Sequence, residues 1–117
     1  MKDFDVYAYG VISSSELHLL STPFPPPDAY AKISRTHFMT GGETLNSALV
    51  LSRLGFRVQL DGNWFGDTPA GERLLEIIQS NKIDTKRLNV KKVLPESVKL
   101  CSLTNKAKPS LAIISIY

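Results

Sequence analysis

The chain has 117 residues, of which 43% are hydrophobic and 21% charged, the composition of an ordinary globular protein with length for one small domain and a real core. Its formal charge of +3 is mild, its lysines are scattered through strand-like segments without interleaved aromatics, and no apolar run is long enough to cross a membrane, which argues against a nucleic-acid binder and a membrane span. The single cysteine, Cys101, cannot form an internal disulfide, and residues 1–5 lack a signal-peptide core, so the cytoplasm is the expected compartment.

Residues 4–12 are rich in aromatic and β-branched types and predict a first strand. Ser13, Ser14, Ser15 and Glu16 follow as a polar break at its C-terminal end. In open α/β sheets ligands gather at that edge, and serine runs also fill loops; both readings stand. Residues 21–28 carry Pro23, Pro25, Pro26 and Pro27, which remove backbone donors and favour a stiff connecting loop. Residues 33–39 alternate and predict a short strand. His37 has no Cys, His or carboxylate pair at ligand spacing and reads as a surface histidine.

Gly41 and Gly42 form a tight turn that opens into a helix, which Gly55 should stop at its C′ position. Thr40 and Glu43 fit a capping box. Leu45, Ala48 and Leu49 share one face, and Leu51 and Leu54 widen it. Asn46 is a polar amide one turn into this apolar helix. Such a turn can hold a polyhydroxylated or anionic ligand through backbone N–H groups and one amide side chain. The local pattern by itself favours the plainer account, a turn with an Asn capping backbone, and wider context has to decide.

Residues 56–62 alternate as a strand. With residues 33–39 and the intervening helix they have the layout of a right-handed βαβ unit with parallel strands. Thr68 fits an N-cap, Pro69 the first helical position, and the helix should run to Ser80, burying Leu74, Leu75, Ile77 and Ile78, with Asn81 as a left-handed stop. After a link at 83–85 the grammar changes to strands alone, at 88–93, 97–103 and 111–117, with a turn at 104–110. Such an appended β piece suits a cover or an association surface, and a chain that halts inside a strand pattern suggests an interrupted larger domain.

The order of these features carries a resemblance. Gly10, then Gly41 and Gly42 with Asn46 and Ala48, then Arg53, Leu54 and Gly55, then Gly66, Asp67 and Gly71, then Ile83 and Asp84, resemble the N-terminal half of the ribokinase-like (PfkB) carbohydrate kinases. The likeness runs from Phe4 onward and is most specific between Gly41 and Gly71. It implies an α/β fold, a partial ribokinase-like fold in which a parallel βαβ sheet with helices carries a small β-sheet lid. Residues 1–117 would be the N-terminal part of that domain, with lid strands at about 13–40 and 88–117. It further implies transfer of the ATP γ-phosphate to a sugar or nucleoside hydroxyl with Mg²⁺.

On that resemblance Gly41, Gly42 and Asn46 match the substrate-binding turn, and Glu43 falls at a polar contact. Ser13 and Ser15 fall where relatives place Asn and Asp. Gly66, Asp67 and Gly71 match a turn that shapes the site. Four positions depart from the pattern: Thr44 replaces a small residue, one residue is added between Gly55 and Gly66, Thr68 replaces a second Asp, and Ser15 replaces the carboxylate whose charge-assisted bonds would hold two hydroxyls. The catalytic base and nucleotide site belong, in this family, to a Gly-Ala-Gly-Asp segment that this sequence lacks, and no Walker A sequence is present. His18 and His37 have no paired nucleophile. The expectation is a substrate half-site without catalytic or metal-binding residues of its own, inactive alone, with ATP and Mg²⁺ held elsewhere and a homodimer formed through the lid strands. The competing readings are a non-catalytic sugar- or nucleoside-binding module and an interaction protein that pairs through the same strands.

Overall fold

The computed structural model describes residues 3–92, 98–105 and 108–116. Its floor is a parallel pair, β1 (Val6–Gly10) and β4 (Val58–Gly62), in register from Val6 opposite Val58 to Gly10 opposite Gly62. Between them the chain runs through β2 (Ser13–Leu20), β3 (Ile33–Gly41) and α1 (Glu43–Arg53). Beyond β4 come β5 (Phe65–Gly66), α2 (Pro69–Ser80), β6 (Val90–Lys91), β7 (Val98–Asn105) and β8 (Lys108–Ile116). β3, β2, β8 and β7 form, in that order, an antiparallel four-stranded sheet, and β5 with β6 makes a short parallel pair of its own.

α1 covers one face of the β1–β4 pair, and α2 adds Leu74 and Ile78 to the same core. Ile12, Leu45, Leu60, Ile78 and Val58 are essentially sealed from solvent, and Ala48, Phe65, Leu74 and Ile83 complete that core. Each complete burial of a large aliphatic side chain contributes about 1.5–3 kcal/mol. The opposite face is bare, with Tyr7 53% and Tyr9 71% exposed. The Cα radius of gyration is 16.6 Å, against roughly 13 Å for a compact domain near this size, and the principal extents are 58 × 33 × 19 Å.

Several local expectations hold. Thr68 caps α2, its hydroxyl accepting the Gly71 N–H at 3.2 Å, with Pro69 in the first turn. Gly55 follows α1 with φ +95°. Leu45, Ala48 and Leu49 are buried.

Others are corrected. The parallel partner of β4 is β1, not β3: residues 33–39 are exposed on both faces and lack the apolar run of a central parallel strand, whereas Val6, Ala8, Val58 and Leu60 supply it. The serine run is the start of β2 and not a break, because neighbours on both sides hold it in the ladder despite its turn-like composition. The capping box does not form; Gly42 is the N-cap of α1 and no side chain caps it. Leu54 is 69% exposed. Asn81 has φ −89°, and the left-handed residue is Lys82 at φ +58°. The Asn81 amide is engaged across the helices, donating to the Ile77 carbonyl at 2.8 Å and accepting from Arg53 Nε at 3.1 Å, which displaces the reversal by one residue. Val90 and Lys91 lie beside Phe65 and Gly66, apart from the four-stranded sheet. Of the expected turn at 104–110, residues 106–107 lie outside the described residues, and β7 and β8 extend to Asn105 and Lys108.

Candidate functional site

The C-terminal ends of β1 and β4 are fastened together by one side chain. Asn63 accepts the Ile12 N–H at 2.6 Å and donates its own amide to the Ile12 carbonyl at 2.8 Å. This clasp sets the point where β1 ends and β2 begins, and so the start of the serine run. Sequence reading passed over Asn63, since an Asn after a glycine signals only a turn.

Gly42 sits against this junction. A Cβ there would strike the Val11 carbonyl, and its φ of +85° suits glycine. The start of α1 is thereby brought to the ends of the strands. Its first turn has no side-chain cap, in contrast to α2, so the helix-start amides have no acceptor side chain. Thr44 fills the space above Gly10, its hydroxyl donating to the Tyr9 carbonyl at 3.4 Å, which explains why a larger residue is accommodated at that position.

Gly41 pairs directly with Ser13 across the β2–β3 ladder, and Met39 with Ser15. A Cβ at Gly41 would lie 2.7 Å from Ser15 Oγ and closer still to Ser13 Oγ, so both hydroxyls converge on the bare backbone of Gly41. Ser13, Ser14 and Ser15 are all buried. Ser14 points to the opposite face, where it pairs with Thr40. Asn46 is exposed one turn into α1, and the Thr40 hydroxyl donates to its amide oxygen at 3.0 Å, which leaves the amide N–H₂ as a donor. Glu43 is exposed at the helix start.

The structure thus gathers Ser13, Ser15 and Gly41 into direct contact, places Gly42 at their base and Asn46 one helical turn away. Glu43 has no hydrogen-bond or ion-pair partner among the described residues. The Ser13 and Ser15 hydroxyls at Gly41 make one buried, neutral polar group, and Asn46, tied to Thr40, lies at the same end of the β2–β3 ladder. Glu16 projects from the other face of β2, toward Arg73 and His18. The residues with displaced acidities lie away from these groups. Asp61 accepts the Tyr7 phenol hydrogen at 2.5 Å on the bare face, and that hydrogen bond pushes the Tyr7 pKa up. The Asp5 carboxylate, bound by Arg57 at 2.9 and 3.1 Å, raises that guanidinium further. His37 is exposed, and among the described residues no three His, Cys, Asp or Glu side chains are grouped to hold a metal ion. No described helix is long and apolar enough to cross a membrane.

The sequence profile of the pfkB family carbohydrate kinases matches residues 6–115. No curated protein matches the chain. Among solved structures, the nucleoside kinase of Methanocaldococcus jannaschii, described as an archaeal member of the ribokinase family, superposes with a TM-score of 0.70 at 17% identity, over 92% of this chain and 35% of that one. The ribokinase of Cryptococcus neoformans, solved with ADP, gives 0.66 at 20% identity, over 94% and 34%. The fructokinase of Halothermothrix orenii gives 0.59 at 24% identity, over 92% and 36%. These likenesses show a shared, partial ribokinase-like fold. The chain spans about a third of the length of the solved proteins it matches.

Proposed function

This chain belongs to the pfkB family of carbohydrate kinases, and from that premise we propose that it is the substrate-binding portion of an ATP-dependent kinase that phosphorylates a sugar or nucleoside hydroxyl. One observation carries the reading: two serine hydroxyls converge on a side-chain-free residue at the uncapped start of a helix, at the C-terminal ends of the parallel strands. In this assignment the Ser13 and Ser15 hydroxyls and the N–H groups at Gly41 and Gly42 bind substrate hydroxyls. Asn46 donates through its free amide N–H₂, held in orientation by Thr40, and Glu43 reaches the rim. The four-stranded sheet acts as the lid over the substrate.

ATP and Mg²⁺ are assigned, on the family resemblance, to other parts of the kinase. When bound there they supply the phosphoryl group and neutralise its charge. In the proposal these groups orient a hydroxyl, the base that accepts its proton is supplied from outside this chain, and the chain alone is inactive. The bare Tyr7 and Tyr9 face supports a larger protein around it, because parallel sheets are normally covered on both sides. β3 is an outer strand with Ile33, Phe38 and Met39 exposed, and such an edge supports a homodimer through the lid. The assigned compartment is the cytoplasm.

Calorimetric titration of the chain with D-ribose, D-fructose and adenosine tests the assignment. Binding to one of them that Ser15→Ala weakens is the expected result; a folded chain silent to all three counts against it. A second reading, a non-catalytic binding module, is favoured by serine standing where a carboxylate would grip two hydroxyls. Phosphorylation by the chain within its complete protein separates the kinase from the module.

A further inference from the structure

The face of β2 opposite Ser13 and Ser15 is gripped by a residue that the resemblance did not single out. Glu16 and Phe38 are cross-strand partners, one rung from Ser15 and Met39. Arg73, from α2, reaches both. Its guanidinium carbon lies 4.1 Å from the centre of the Phe38 ring, and Nη2 lies 3.9 Å from Glu16 Oε1. The other Glu16 oxygen lies 3.5 Å from His18 Nε2, whose Nδ1 is 2.9 Å from the Thr36 hydroxyl. Arg73 Nε is buried without a hydrogen-bond partner among the described residues. A buried donor left unbonded is costly, so the arginine is held there by its stacking and its ion pair.

Consecutive strand residues point to opposite faces, so whatever fixes Glu16 also fixes Ser15. We infer that Arg73 is a positioning residue: by clamping the Glu16–Phe38 rung to α2 it sets where Ser13, Ser15 and Gly41 stand relative to the helix-start amides of α1. The β2–β3 half of the four-stranded sheet is joined to the body by the short junctions at Val11–Ile12 and Gly42, and the β7–β8 half by the link that follows β6. One guanidinium gripping both strands converts that attachment into a defined orientation. The inference rests on the substrate assignment of the opposite face.

The test compares Arg73→Ala with the native chain by amide hydrogen exchange and by titration with D-ribose, D-fructose and adenosine. Loss of a half-exposed cation–π contact and a long ion pair should speed exchange across β2 and β3 about three- to tenfold, with β1 and β4 unchanged. The Kd for whichever probe binds should rise by a similar factor. Arg73→Lys should restore part of both effects, since it keeps the cation but not the planar stack. Phe38→Leu removes the stack while leaving Arg73 in place, and should give a weaker form of the same pattern even if Arg73→Ala fails to fold. Unchanged exchange in β2 and β3 overturns the inference, and so does faster exchange spread equally over β1 and β4. If the native chain binds none of the probes, the substrate assignment falls, while the exchange comparison still decides whether Arg73 is the clamp.

Discussion

Gly41→Ala isolates the contact on which the site depends. The backbone at Gly41 is not in the left-handed region, so alanine is conformationally acceptable there, and the atoms nearest to the new methyl are the two serine hydroxyls. Those side chains can rotate away, so the cost to folding should be modest, about 1 kcal/mol, at the low end of overpacking penalties. The cost to binding should be larger, because both hydroxyls leave the positions from which they would contact the ligand. At about 0.5–1.5 kcal/mol for each hydrogen bond, two lost bonds weaken binding by about 1–3 kcal/mol, or about five- to 150-fold in Kd. Calorimetry gives the affinity and a thermal melt gives the stability. Adding Ser13→Ala, which removes the nearer hydroxyl, to Gly41→Ala should recover part of the stability and none of the affinity. If Gly41→Ala binds sugar or nucleoside as tightly as the native chain, the hydroxyls at Gly41 are not the substrate contacts.

Three further outcomes follow from named contacts. Asn63→Ala strips both bonds from the Ile12 backbone and should cost about 1–3 kcal/mol for the groups left unsatisfied, read as a fall in denaturation midpoint. Thr68→Ala should lower stability by about 1 kcal/mol through loss of the α2 cap, with no effect on ligand binding. The Tyr7 phenol, protonated and bonded to Asp61, has its pKa raised on folding, so its contribution to stability is fully present below the unfolded value of about 10 and is lost as pH climbs through the folded value. Absorbance at 295 nm should show one tyrosine titrating late, and Tyr7→Phe or Asp61→Asn should abolish that late step.

The sequence made the helices legible because each is marked by local chemistry: Thr68 and Pro69 at one start, Gly55 after the other helix, and apolar positions at helical spacing. Pairing was less legible. Residues 33–39 alternate like a strand, but nothing local says that their partner is β2 and not β4; that choice is made by which strands carry Val6, Ala8, Val58 and Leu60 to the core. The serine run looked like a break because serine favours turns, and only its neighbours on both sides make it a strand. Gly41, Gly42, Ser13 and Ser15 could be named from their order along the chain. The Asn63 clasp and the Arg73 clamp could not, since each joins residues at least twenty apart through single side chains whose local context is ordinary.

In the proposed assignment, register is what turns the serine run into a substrate site. In β2 the side chains alternate, so Ser13 and Ser15 face Gly41 only because Ser13 stands opposite Gly41. A slip of one residue would carry both hydroxyls to the face now held by Arg73 and present Ser14 and Glu16 in their place. One glycine inserted between Ser14 and Ser15 leaves the two hydroxyls on opposite faces, and so should abolish ligand binding even if the sheet re-forms and separate Glu16 from Arg73. The same glycine inserted after Pro26 lies in a loop whose ends are already joined by the Ser21 N–H bonded to the Lys32 carbonyl at 3.0 Å. Lengthening such a loop by one residue costs well under about 0.6 kcal/mol, the penalty for doubling it. Calorimetry on the two insertions decides the matter: equal loss in both would mean that the proline loop itself shapes the site, and retained binding with the strand insertion would remove Ser13 and Ser15 from it.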